Sequence, residues 1–194
     1  MFNNYLSICT LLSGKLALDY HYFCQNQLKI RGFGVEFIKD YKVDKIDRRM
    51  LDLLQQDGRL TTAELADKVG LSPSPCARRL KRLEESGVID GYQASLNRQA
   101  IGVGMTVFVE VSLSNHQASS IEDFESAVLD MEEVISCHVV SGAYDYLLEV
   151  VSRDLIGYES FTRKLQRLEN VKDIHTHLAI RQVKAASAMP IWIV

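Results

Sequence analysis

The stretch from Leu60 to Gly87, LTTAELADKVGLSPSPCARRLKRLEESG, restricts the fold more than any other part of the chain, because its spacing suits two short helices joined by a tight turn. Thr61 and Glu64 stand at the spacing of a capping box, in which hydroxyl and carboxylate satisfy each other's backbone amides. A helix is expected to begin there. Leu65, Ala66 and Val69 follow on one face, and Gly70 can take the left-handed conformation that stops a helix. Beyond it, Leu71 can plug a core, Ser72 can cap, and Pro73 and Pro75 fall in a first turn whose missing amide hydrogens cost little. The second helix then runs from Pro73 to Glu85 or Ser86, which makes the whole a helix-turn-helix.

At 100° per residue, Cys76, Leu80 and Leu83 share one narrow face of the second helix, while Ser74, Arg78, Lys81 and Arg82 project on the other. Arg79 lies on the flank, with a stem that can pack and a guanidinium expected to reach outward. Arginine can bond both acceptors of a guanine edge, and lysine or arginine on phosphate supplies the salt-sensitive part of DNA affinity. The expected DNA-contacting set is Ser72, Ser74, Arg78, Arg79, Lys81 and Arg82. The plainer alternative is a solvated charged face, which is what most charge runs are. The capped first helix, the Gly70 turn and the proline start favour DNA.

A bulk basic excess is missing. The formal net charge is −3, with 11 Lys+Arg against 9 Asp+Glu over residues 42–98 and 7 against 13 over residues 99–194. DNA binding would therefore depend on a local basic face and on pairing of subunits. The four cysteines, Cys9, Cys24, Cys76 and Cys137, show no CxxC spacing, so disulfides are not expected and a reducing cytoplasm fits. No run approaches the roughly 20 apolar residues of a membrane span, and no membrane partner is expected.

Residues 1–41 are aromatic-rich, lack caps and a strong period, and read as an extension of unknown role: an appended helix or, as these features favour, a poorly ordered arm or sequence upstream of the true start. From Asp44, the repeat of Ile46, Met50, Leu53 and Leu54 marks a supporting helix that stops at Asp57-Gly58. Residues 42–98 thus form the DNA-binding domain, with Val88 to Asn97 expected as a linker strand carrying Tyr92, Ala94 and Leu96 on one face. Residues 99–194 alternate: strand at Val103 to Leu113, helix at Ser119 to Met131, strands at Val134 to Val140 and Tyr144 to Ser152, helix at Asp154 to Leu168, strand at Val171 to Val183. The order βαββαβ is the split arrangement of ferredoxin-like domains, an antiparallel sheet with both helices on one face. Its other face needs a cover, and a second copy of the sheet is the economical one. The fold class is α+β, a winged-helix-like helix-turn-helix head followed by a ligand-binding and dimerisation domain.

In VVSGAYDYLLEV, the amides around Gly142 and Ala143 could hold a carboxylate and Asp145 an ammonium, which together describe an α-amino acid. The residues alone favour a hairpin in which Asp145 bonds its own turn. His175 and His177 share a strand face and His138 lies on another strand, but strand histidines are more often surface or interface groups than metal ligands. No metal and no cofactor are expected. With no nucleophile motif and no glycine-rich phosphate loop, neither is an enzyme.

LSPSPCARRLKRLEESGVIDGY (Leu71 to Tyr92), CHVVSGAYDYLLEV (Cys137 to Val150) and the closing strand up to Gln182-Val183-Lys184 resemble the Lrp/AsnC family of feast/famine transcription regulators, and most of all its leucine-responsive branch. The resemblance spans roughly Val43 to Lys184. It implies a DNA-binding head and a βαββαβ domain whose sheets pair into dimers, commonly assembled further into octamers, with an amino acid bound between dimers shifting assembly and DNA affinity. By position, Val139 and Asp145 match residues of the effector response, Gly142 and Tyr144 share their loop, and His177, Leu178 and Ala179 match last-strand positions facing the same cleft. Relatives often carry an acidic residue where Ala143 stands. The expected function is a cytoplasmic, sequence-specific regulator that binds pseudo-palindromic double-stranded DNA as a homo-oligomer and responds to leucine, methionine or a similar aliphatic amino acid. The alternative is an amino-acid-binding regulatory subunit of an enzyme, with the helix-turn-helix serving only to dock protein.

Overall fold

The computed structural model describes residues 41–185 and 187–192, so of the extension expected over residues 1–41 only Tyr41 is described. The chain divides into two compact units. Among the described residues, one comprises 41–93 with 188–192 and the other 94–187.

The first unit is built on three helices: α1 (Lys45–Gln56), α2 (Thr62–Val69) and α3 (Pro73–Glu85). Asp44 caps α1, taking the Ile46 and Asp47 amides on Oδ1 at 2.8 Å each, while Asp47 Oδ2 accepts the Asp44 amide at 3.2 Å. The Thr61–Glu64 capping box starts α2, and Gly70 ends it at φ 71° and ψ 35°, a left-handed position at which a side chain would be strained. Ser72 stands at the N-cap of α3 without a side-chain capping bond. The reason lies in the next residues: a capping oxygen serves the second and third amides of a helix, and the third here is Pro75, which has none. Met50, Leu51, Leu54, Leu65, Ala66, Cys76 and Leu83 form the buried core.

The tail residues 188–192, grouped with the second domain in the sequence, lie with the helices instead. The Gln55 side-chain amide exchanges two bonds with the Met189 main chain, at 3.1 and 2.6 Å, and Ile191 packs on the helical core.

The second unit runs β1 (Met105–Leu113), α4 (Ala118–Leu129), β2 (Val134–Val139), β3 (Tyr146–Ser152), α5 (Leu155–Gln166) and β4 (Val171–Leu178). The strands form one antiparallel sheet in the order β2-β3-β1-β4. Val107, Val109, Val111 and Leu113 alternate inward on β1 and pack with Tyr146, Leu148 and Val150 of β3 against Phe124 and Val128 of α4 and Tyr158, Phe161 and Leu165 of α5. Both helices therefore cover the same face. The other face carries Phe108, Glu110, Leu147, Glu149, His175 and His177, and Phe108 is 39% exposed.

Two expected strands depart most from the structure. Residues 91–97 have no ladder partner among the described residues and are exposed throughout, so alternation alone does not make them a strand. Tyr92 instead donates to Glu84 at 3.1 Å. The last strand stops at Leu178 rather than Val183: the Ala179 amide still reaches Thr106, but β1 begins at Met105 and its carbonyls run out.

Candidate nucleic-acid interface and ligand site

The inner face of α3 is settled by Cys76 and Leu83, both fully buried. That leaves Ser72, Ser74, Arg78, Lys81 and Arg82 exposed on the outside. Lys81 approaches Glu85 one turn on at 3.5 Å, a contact between two exposed groups that is worth little and easily exchanged. Arg78 and Arg82 make no ion pair among the described residues. The helix thus offers cations to an incoming polyanion without first having to break internal bonds.

Arg79 behaves differently. Its Nη1 donates to Asp44 at 2.6 Å and to Asp47 at 2.8 Å, and Asp47 is 1% exposed. Instead of reaching outward, this guanidinium turns back onto the start of α1. A half-buried flank beside two carboxylates lets the arginine pair at close range, which holds α3 against α1. These bonds raise the Arg79 pKa further. Burial works against the Asp44 charge, but the Asp47 amide and the guanidinium outweigh it and hold that carboxyl below its ordinary range. Asp47 also accepts the Tyr41 hydroxyl at 2.7 Å, and the Arg82 guanidinium lies 5.7 Å from the centre of the Tyr41 ring. Asp47 was not singled out from the sequence. The signal that could have found it is an aspartate at the third position of a capped helix, opposite an arginine on a flank.

In the sheet unit, Asp145 closes no turn with its side chain. Its Oδ2 accepts the Leu113 amide at 2.7 Å and its Oδ1 meets His116 Nε2 at 2.8 Å, while its main chain bonds Val140 and Val111. The carboxylate thus ties the end of β1 to the β2–β3 turn. Two oxygens offer about four acceptor positions, so further donors can still approach. Gly142 takes φ 137°, and its amide and that of Ala143 meet no backbone acceptor among the described residues. Tyr144 stacks at a tilt on His175, with ring centres 5.0 Å apart.

The seven residues expected to hold an effector do not meet within one protomer. Val139 pairs with Tyr146, which sits beside Val111, whereas His177 and Leu178 pair with Phe108 and Val107. Four residues of β1 separate the two rows, about 13 Å along the strand. The sheet also places Val139 and Leu178 on its opposite edge strands, and consecutive His177 and Leu178 on opposite faces. A shallow hollow of about 320 Å³ lies at the start of β4, lined by Gln166, Val171, Lys172, Asp173 and Ile174, away from Val139 and Leu178. Two of the three strand histidines meet a carboxylate, His175 with Asp173 at 3.0 Å and His177 with Glu110 at 3.3 Å, while His138 on β2 meets none among the described residues. No group of three or more metal-ligating side chains occurs among the described residues, nor is any described helix long and apolar enough to cross a membrane.

Residues 43–90 match the winged helix-turn-helix DNA-binding family and residues 106–189 the Lrp/AsnC ligand binding domain. A DNA-binding head followed by a ligand-binding sheet domain is the arrangement of a transcriptional regulator, not of an enzyme. The chain is 41% identical to the leucine-responsive regulatory protein of Escherichia coli over 150 residues, which cover 77% of this chain and 92% of the relative. It is similar in structure to a transcriptional regulator from Neisseria meningitidis solved in complex with L-Met (TM-score 0.73, 36% identity, 76% of this chain and 96% of the other). It is also similar to an AsnC family regulator from Agrobacterium tumefaciens (TM-score 0.72, 35% identity, 76% and 96%). The chain belongs to the Lrp/AsnC family of transcriptional regulators.

Proposed function

We propose that this regulator reads pseudo-palindromic double-stranded DNA as a homodimer or higher assembly in the cytoplasm, and that a small aliphatic amino acid adjusts its grip. The observation that carries the DNA reading is α3: its apolar face is buried while Ser74, Arg78, Lys81 and Arg82 stand exposed outside. A two-fold pair of such helices asks for half-sites about one helical turn, or a multiple of it, apart. The uncovered sheet face, with Phe108, Leu147 and two histidine–carboxylate pairs, suits a second copy, because identical faces can bury apolar side chains and exchange charge partners across a two-fold axis.

The effector is leucine or methionine, matching the names of the relative and of the structural neighbour. Asp145 takes the ammonium, the Gly142 and Ala143 amides take the carboxylate, and Val139 and Leu178 receive the apolar chain. Since one protomer holds these groups in two separate rows, the site is completed by residues of another copy, up to an octamer. A ligand that binds only the assembled form shifts assembly, and DNA affinity with it.

Thermal unfolding against the twenty amino acids tests the effector, since a ligand of the native state raises the midpoint. A rise with leucine or methionine that Asp145→Ala abolishes is the expected result. No rise with any amino acid would remove the effector and leave the DNA-binding head. Operator binding at graded salt tests the other half: phosphate contacts make affinity fall steeply with salt, as docking to an enzyme would not.

A further inference from the structure

Tyr41 precedes the helix-turn-helix match, which begins at residue 43, yet its side chain is tied to this unit at both ends. The hydroxyl donates to Asp47 Oδ2 at 2.7 Å, and the Arg82 guanidinium sits over the ring, 5.7 Å from its centre. Asp47 is itself held by its surroundings: it is buried, accepts the Asp44 amide and receives Arg79. A bond to such a group fixes the tilt of the ring. Burial first, and the Asp47 bond second, push the phenol pKa up to about 12, so it remains a neutral donor at every physiological pH.

Three of the four cations of α3 have partners of different kinds. Arg79 is committed to two carboxylates, Lys81 reaches Glu85, and among the described residues Arg82 meets only an aromatic face. That face is an unusual partner, because a guanidinium seated on a ring loses rotamer freedom while its N–H edges stay open to acceptors. A carboxylate in the same place would satisfy those edges and compete with DNA.

We propose that Tyr41 is a positioning residue for DNA binding: its ring, anchored by Asp47, pre-orders Arg82 on the outer face of α3 with its donors free. The proposal rests on reading α3 as the DNA face, and it brings a residue from outside the helix-turn-helix match into the interface.

The test is a double-mutant cycle in the full chain, on a duplex selected by the wild-type protein from a random pool. Tyr41→Leu should weaken binding by roughly two- to five-fold, the size of an exposed cation–π contact. Tyr41→Phe, which keeps the ring but loses the hydroxyl that Asp47 anchors, should recover only part of that. In the Arg82→Ala background, Tyr41→Leu should change nothing further, because the residue it orders is gone. Wild-type or tighter binding by Tyr41→Leu overturns the proposal. So does an equal loss in both backgrounds, which would show the ring acting through the fold. If Arg82→Ala itself binds like wild type, the reading of α3 fails, and this proposal with it.

Discussion

The helical unit and the sheet unit bury similar kinds of side chain, but they leave their functional groups in opposite conditions. In the head, a single helix carries buried Cys76 and Leu83 on one side and exposed Arg78 and Arg82 on the other, so the proposed DNA-facing groups share one surface of one helix. In the sheet, four strands divide the expected ligand groups between rows about 13 Å apart and between both faces. A helix gathers residues three and four apart onto one surface, whereas a strand sends neighbours to opposite sides. One architecture gathers its proposed groups from a short sequence; the other leaves its expected ligand groups apart within one protomer.

The units also differ in what orients them, and this contrast can be broken by mutation. Phe124 is 1% exposed in the sheet core, so Phe124→Ala should cost about 3 to 5 kcal/mol. Calorimetry with hydrogen exchange should place that loss in residues 94–187 and leave protection in α1 to α3 unchanged; an equal loss in both would mean the units unfold as one. Next in size, Asp47→Ala leaves Tyr41 without its acceptor and Arg79 with Asp44 alone, and should destabilise the head by about 2 to 3 kcal/mol, less than a fully buried pair because Arg79 is 27% exposed. A denaturant melt followed at the head checks it, and an unchanged midpoint would deny that the polar cluster orients α3.

Arg78→Ala should lose about 1 to 3 kcal/mol of operator binding while the oligomer, measured by sedimentation, stays intact. Unaltered affinity would empty the assigned face. Thr61→Ala removes the hydroxyl that accepts the Glu64 amide at 3.3 Å and should cost about 1 kcal/mol in thermal unfolding.

The smallest effect expected is acid sensitivity, and it reaches both units. Asp44 is held low despite burial by the Asp47 amide and Arg79, and Glu133 is held low chiefly by Lys164, whose Nζ lies 2.6 Å away. A depressed carboxyl contributes stability that is fully present above its unfolded value, near pH 4, and lost as pH falls through the folded one. An acid titration followed by circular dichroism should show Asp44→Asn and Glu133→Gln flattening this loss, each in its own unit.

Much of this protein was legible from spacing. The capping box at Thr61, the stop at Gly70, the start at Pro73, the two faces of α3 and the βαββαβ order all follow from interactions within a few residues of the chain, and the structure repeats them. Residues 91–97 and the end of β4 were less legible, because a strand exists only where a neighbour offers carbonyls and amides. Arg79 and Asp47 are separated by 32 residues, and nothing local says that a flank arginine will turn inward to a buried carboxylate. Asp145 likewise looked like part of its own turn but bonds Leu113 and His116. By itself, then, the sequence determined the helices, their caps and the basic face, since those depend on short-range geometry. The tertiary structure alone decided which charged groups are already paired and how far apart the ligand residues stand, since hydrogen bonds and register between distant segments exist only once the chain has folded.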